Sequence, residues 1–300
     1  MKKLFSLLLA LALLLSLFAC SDEPPAPNDG GDTAPAPQAN PVTDFEYSVS
    51  RQPDCIGITK YVGTSTSIVF PETIDGLPVT IIGGYLLYDS DVRYSIESVV
   101  IPDTVETVAN MTFSGCKSLV SVDFGEGVRS IGESAFENCT ALKKVILPPC
   151  LESIGASAFS YCTAVEEVFI PKTVVSWNYH GGEGGPFSGN EKPGALKKIT
   201  IEDGLVSLGS KDGAGIFSNA PLLEELVIPA SVKSIEPYAF HSCTGLKSVT
   251  FLGDAPEVKA HVFGYVNTET SSKSLVIYYD PATEGWDDTV LREYQLVPIE

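Results

Sequence analysis

Apolar positions along most of this chain return in one fixed phrase. "SIGESAFENC" at 130–139 comes back as "SIGASAFSYC" at 153–162 and, more loosely, as "SIEPYAFHSC" at 234–243. Phenylalanines mark the beat at Phe113, Phe136, Phe159, Phe187, Phe217, Phe240 and Phe263, with intervals of 23, 23, 28, 30, 23 and 23 residues. Leu87, in "IIGGYLLYDS", holds the same place and makes eight copies. Three residues after each comes a residue that is small or apolar in most copies: Ser90, Cys116, Cys139, Cys162, Asn190, Ala220, Cys243 and Val266.

The rest of the unit keeps time with the ring. Phe136 is followed by Leu142, Val145 and Leu147; Phe113 is followed in step by Leu119, Val122 and Phe124. Alternation at Val145 and Leu147 predicts a short strand that Pro148 ends. "ESAFENC" lacks that period and predicts one tight helical turn, with the small Ala135 letting Phe136 point inward. One such unit cannot bury its apolar side alone, whereas a stack sets like on like in internal columns. With strands about 4.8 Å apart, eight coils span roughly 40 Å. The expected fold is therefore a mainly β solenoid of about eight 23-residue repeats, each with one short strand and a short helical turn.

The repeat, C-x-x-L-x-x-V-x-[IF], often with proline next, then V-x-[ST]-I-G-x-x-A-F-x-x-C, closely resembles the BspA-like leucine-rich repeat family of bacterial surface proteins. "PETIDGLPVTIIG" at 71–83 resembles the family's opening repeat and "SLVIYYDPATEGWDD" at 274–288 its closing segment. The resemblance covers about 55 to 290. It implies a leucine-rich-repeat type right-handed superhelix over 44–300, with 44–85 as N-terminal cap and first repeat and 268–300 as C-terminal cap. It also implies adhesion to host proteins, other bacteria or extracellular matrix, although a fold does not fix a ligand.

The N-terminus bears on location. Lys2 and Lys3 precede an apolar run, Leu4 to Leu17, that is short for a membrane span and has the layout of a secretory signal. It ends in "LFAC", which resembles a lipobox: residues 1–19 would be removed and Cys20 would carry lipid. The plainer alternative is a secretory signal with an incidental cysteine. Residues 20–43, rich in Pro, Ala and acid, predict a disordered tether. Asp22 and Glu23 resemble an export signal to the outer face of the outer membrane. The expectation is an exported, lipid-anchored, outward-facing protein. The formal charge is −19, or −21 without Lys2 and Lys3. That balance argues against nucleic acid and against contact with anionic lipid beyond the anchor.

Candidate chemistry is sparse. The column cysteines share their place with Ala220, so they read as small buried slots; pairing of Cys116 with Cys139 on oxidation is the alternative. Cys55 and Cys150 fall outside the column, and no C-x-x-C pair suggests zinc. His241 and His261 flank core phenylalanines without a recurring carboxylate. Neither "HGGEGGP" (180–186) nor "GSKDGAG" (209–215) has phosphate-loop spacing. No enzyme activity, cofactor or metal is expected, and the chain is expected to be a monomer.

Two surfaces remain. Relative to the 23-residue unit, five extra residues lie between Trp177 and Phe187, three between Phe187 and Leu196, and four between Leu208 and Phe217. These insertions leave consecutive coils and should cluster as a binding elaboration, with Tyr179, His180 and Glu183 as contacts; drift in a tolerant loop is the alternative. The strand register turns two columns outward. One is Ser98, Ser121, Lys144, Glu167, Lys198, Glu225 and Ser248; the other is Val100, Asp123, Ile146, Phe169, Thr200, Val227 and Thr250. Phe169 beside Ile146, flanked by Lys144 and Glu167 and followed by Lys198 and Thr200, suits contact with an extracellular protein. A spacer without a ligand is the first alternative. A glycan-binding or glycan-acting protein is the second, but Glu167 and Glu225 stand two coils apart around Lys198 and read as charge balance, not as acid and base.

Overall fold

Most coils lay down two strands, a longer and a shorter one, on two different faces. The longer strands are Ser67–Val69, Ser98–Val100, Ser121–Asp123, Lys144–Ile146, Glu167–Ile170, Lys198–Ile201, Glu225–Ile228, Ser248–Phe251, Val276–Tyr279 and Gln295–Pro298. They mark ten turns in this computed structural model, which describes residues 37–51, 54–178, 185–188, 194–213, 215–264, 275–287 and 289–299. The shorter strands run from Thr107–Val108 through Ser130–Ile131, Ser153–Ile154, Ser176–Trp177, Ser207–Leu208 and Ser234–Ile235 to Glu257–Val258. Pairing between successive coils is parallel and in register, for example Lys144 with Glu167 and Ser153 with Ser176. The fold is the expected β solenoid, with a second strand in most coils that two-residue segments such as "SI" carry too little pattern to show.

The rings form the axis of the stack. Successive centroids from Phe113 to Phe263 lie 5.0–5.9 Å apart and near parallel. Leu87 is buried with them, as are all the rings except Phe187, which is half-buried. At the N-terminal end Phe70 meets the edge of Phe113.

The expected helical turn around each ring is replaced by something else. Ser134 (φ 52) and Asn138 (φ 59) flank Phe136 in left-handed conformation, and Ser157 and Tyr161 flank Phe159 in the same way. These kinks aim alternate N–H groups along the stack. Ser134, Phe136 and Asn138 donate to the carbonyls of Ala156, Ala158 and Ser160 in the next coil at 2.9, 2.7 and 2.9 Å. A helical turn would spend those donors within its own coil, whereas here they bind coil to coil.

Close approach explains the glycine of "SIG". A Cβ on Gly132 would lie 2.6 Å from the carbonyl carbon of Ala109, and one on Gly155 would lie 2.3 Å from the amide nitrogen of Glu133. The column cysteines also join coils. Sγ of Cys139, Cys162 and Cys243 donates to the carbonyl of Phe113, Phe136 and Phe217 at 3.3, 3.1 and 3.2 Å. The six cysteines among the described residues are buried, and none is joined to another in a disulfide. Asn190 and Val266 of that column lie outside the described residues.

At the N-terminus Phe45–Arg51 and Asp54–Tyr61 form an antiparallel hairpin, and Asp54–Tyr61 pairs in parallel with Leu77–Ile82. Attachment begins before the expected start at 44: the Asn40 side chain accepts from Val69 N at 2.8 Å, and Asn40 N donates to Val69 O at 2.9 Å.

The insertions dislocate the stack. The coil carrying Lys198–Ile201 and Ser207–Leu208 pairs its longer strand with the coil before it and its shorter strand with the coil after it, and makes neither reciprocal pairing. Its ring keeps both neighbours: Phe187 N donates to Ile216 O at 3.1 Å and Phe217 N to Ala239 O at 2.9 Å. This is the coil bracketed in sequence by the extra residues on either side of Phe187 and before Phe217.

Candidate protein-binding face

The longer strands present alternate residues outward because the inward ones fill the core. In Lys144–Ile146 only Val145 is buried; in Lys198–Ile201 Ile199 and Ile201 are. Ile146 therefore lies in register with Phe169, and Phe169 with Thr200. Ile146 is 46% exposed, Phe169 is half-buried against its neighbours, and Thr200 is exposed.

Charges pair along the columns beside this strip. Lys144 Nζ stands 3.4 Å from Glu167, Lys197 Nζ 2.9 Å from Glu166, and Lys247 Nζ 2.8 Å from Glu224. Glu167 is also in register with Lys198. The structure thus brings Lys144, Ile146, Glu167, Phe169, Lys198 and Thr200 onto one continuous patch. Tyr179, His180 and Glu183, like Cys20, lie outside the described residues, as do residues 189–193 and 214 of the loop cluster.

Three features of this face were missed. The outward column continues at both ends, through Val69 before Val100 and through Tyr278 and Val297 after Thr250. Those strands lack the ring-and-cysteine phrase, so nothing in the repeat flagged them. The ladder also lapses twice, between Ser121–Asp123 and Lys144–Ile146 and between Lys198–Ile201 and Glu225–Ile228. At the second lapse a groove of about 780 Å³ opens, lined by Lys198, Thr200, Glu225, Val227 and Leu252 among others. The insertion lengths are the only signal of the second lapse, and the first, between coils of uniform 23-residue spacing, has none.

A separate aromatic group sits on the turns around Phe240 and Phe263. Tyr238 stacks on His261 with centroids 5.2 Å apart and meets His241 edge-on at 5.5 Å. Burial, then the neighbouring His261, hold the His241 imidazole below its ordinary pKa.

The architecture is that of a leucine-rich-repeat solenoid. The BspA-type leucine rich repeat profile matches six copies, over residues 80–180 and 187–273, and the chain belongs to that family. Among solved structures it is similar to a leucine-rich repeat protein of T. pallidum, at 25% identity and TM-score 0.49 over 72% of this chain and 87% of that one. It is also similar to a leucine-rich repeat protein of Bacteroides ovatus, at 18% identity and TM-score 0.39 over 85% and 75%. A third is described as a leucine rich cell surface protein of Faecalibacterium prausnitzii, at 18% identity and TM-score 0.34 over 84% and 97%. No curated protein matches the chain.

Proposed function

We propose that the chain is a cell-surface lipoprotein that binds an extracellular protein through its longer-strand face, aided by the loop cluster at 178–216. The observation that carries this reading is the Ile146–Phe169 pair. An isoleucine 46% exposed, in register with a phenylalanine and rimmed by Lys144 and Glu167, has the make-up of an interface centre: apolar in the middle and charged at the edge. Lipid on Cys20 anchors the protein to the outer membrane with the solenoid outward, and the tether gives it reach. The protein acts as a monomer, by binding and not by catalysis.

The test is capture of host and bacterial extracellular proteins by residues 38–300, beside a variant carrying Ile146→Lys and Phe169→Asp. The reading expects specific capture that the variant loses. Equal capture by both removes the strand face from the function. Anchoring is tested by the mass of the mature N-terminus, which should carry lipid on Cys20 and lose it in Cys20→Ser.

Self-pairing of the surface charges favours a second reading, a spacer without a ligand. Under it the double variant leaves cell adhesion untouched.

A further inference from the structure

One plane cuts the solenoid on both strand faces at once. The longer-strand ladder stops at Lys198–Ile201 and restarts at Glu225–Ile228; the shorter-strand ladder stops at Ser176–Trp177 and restarts at Ser207–Leu208. The other lapse, after Ser121–Asp123, leaves the shorter strands beside it paired, Thr107 with Ser130 and Ser130 with Ser153. The chain passes the cut once, at 202–204, and the two sides of that turn hold opposite stacks. Glu202 accepts from Lys172 N at 2.9 Å, and its own N–H donates to Ile170 O at 2.9 Å. Gly204 N donates to Ser231 Oγ at 2.7 Å, and Asp203 Oδ1 accepts from Ser231 N at 3.3 Å.

Outside that turn, Phe187 N to Ile216 O, at 3.1 Å, is the one backbone hydrogen bond joining described residues across the cut. The core is loosest here too. A cavity of about 30 Å³ separates Phe159, Phe187 and Leu196 from Ser218, Asn219 and Ala220. Leu196, Ile199 and Ile201 keep 7%, 7% and 8% exposure, where their equivalents Leu246, Val249 and Phe251 keep 0%, 0% and 1%. Trp177, on an edge of the cut, keeps a buried indole N–H with no partner among the described residues.

We propose that the solenoid is two rigid stacks, built from the described residues of 40–202 and 204–298, that rock against each other at this plane. The surviving connections fix the axis. The Phe187–Phe217 contact, with centroids 5.1 Å apart, and the crossing at 202–204 lie on opposite turns of the coil, with one strand face on either side of the line between them. Tilting about that line brings the longer strands together and parts the shorter ones, or the reverse. Cα atoms of Lys198–Ile201 and Glu225–Ile228 already come within 8 Å of one another. A paired ladder needs about 4.8 Å, so about 3 Å of travel closes the gap.

Unpaired backbone groups pull each face toward closure, and a rigid tilt cannot close both. The structure stands between those two ends. Gly204, at φ +109°, lies at the crossing, where a hinge must absorb the change in backbone angle. Ile146, Phe169 and Thr200 ride on the first stack and Val227, Thr250 and Tyr278 on the second. The tilt therefore sets the curvature of the outward face and the width of its groove. In a stack held only by neighbouring coils, a plane this poorly bonded also divides the cooperative unit in two.

Amide relaxation dispersion on the full chain tests the motion. The bordering strands, Ser176–Trp177, Lys198–Ile201, Ser207–Leu208 and Glu225–Ile228, should share one exchange rate in the microsecond-to-millisecond range, while Ser130–Ile131 and Ser248–Phe251 show none. A Thr200→Cys, Val227→Cys pair, outward on the facing strands, then locks the longer-strand side, since a disulfide needs Cα atoms about 4.4–6.8 Å apart. Oxidation should abolish dispersion on both faces, the distant Ser176–Trp177 and Ser207–Leu208 included, and reduction should restore it. Flat profiles at the bordering strands, a pair that does not oxidise, or far-face dispersion that persists in the oxidised protein would each overturn the proposal. Hydrogen exchange reads the division separately. Phe240→Ala should speed exchange in Ser248–Phe251 at least about tenfold and leave Ser130–Ile131 unchanged. Equal acceleration of both would show a single stack and overturn it as well.

Discussion

The rings of Phe136 and Phe159 lie face to face, their centroids 5.0 Å apart and their planes 3° from parallel. Phe113 stacks on the other side of Phe136 at 5.2 Å, and Phe124 meets it edge-on at 5.5 Å. Phe136 is thus enclosed by two coil neighbours and one strand residue. In a stack where each coil holds only its neighbours, the loss of one ring is felt by both.

Phe136→Ala should therefore destabilise the chain by about 3–5 kcal/mol, the range for deleting a fully buried ring. Urea denaturation followed by circular dichroism checks it. A cost below about 1 kcal/mol would mean that the ring column is not the core.

Gly155→Ala should also destabilise, because its methyl would be driven into the backbone of the coil before, with no flexible side chain to yield. The expected cost is about 1–3 kcal/mol, typical of overpacking. A matched change at Gly76, where a Cβ meets nothing within 4 Å but φ is +78°, separates overpacking from backbone strain. Thermal melts of the two variants make the comparison.

Alkaline pH should weaken the fold through the thiol column. Burial pushes the Cys116 and Cys243 thiols up to about 12 from an ordinary value near 9.0. Below pH 9 both folded and unfolded chains keep these protons, so the thiols impose no penalty. Between about pH 9 and 12 the unfolded chain releases protons that the folded chain retains, and stability falls by up to about 1.4 kcal/mol per pH unit for each thiol. Denaturation midpoints at pH 8 and pH 10 measure the fall. Cys243→Ala, a residue already accepted in this column at Ala220, should lessen it by one thiol's share.

How much of this was legible beforehand follows from periodicity. The ring column, the inward leucines and the outward strip could all be read because the 23-residue spacing and strand alternation act on every copy. The second strand of each coil could not, since two residues such as Ser153 and Ile154 carry no period. The turn around Phe136 reads as helical in the sequence because its left-handed residues, Ser134 and Asn138, are not glycines and give no sign of positive φ. The split pairing of the Lys198–Leu208 coil and the groove arise from pairings that fail to form, a property of neighbouring coils and not of any one phrase. Alternation alone puts Lys144, Ile146, Glu167, Phe169, Lys198 and Thr200 on neighbouring strands of one face, in the register the structure shows.

Lys144→Ala should change binding without changing stability. The Lys144–Glu167 pair is solvent-exposed, and exposed pairs contribute about 0–1 kcal/mol. An unchanged melting temperature together with weaker, less salt-sensitive capture of a partner is the expected outcome. Calorimetry and surface plasmon resonance on one preparation decide it.

The most direct test is the distance along the outward ladder. Ser121 and Gln295 are exposed and seven coil steps apart, so spin labels at Ser121→Cys and Gln295→Cys, with the buried native thiols left unlabelled, should report a single separation of about 30–35 Å by pulsed electron resonance. A distribution centred below about 20 Å, or two well-separated maxima, would show that the coils do not pile up in order, and the binding face built on that order would not exist.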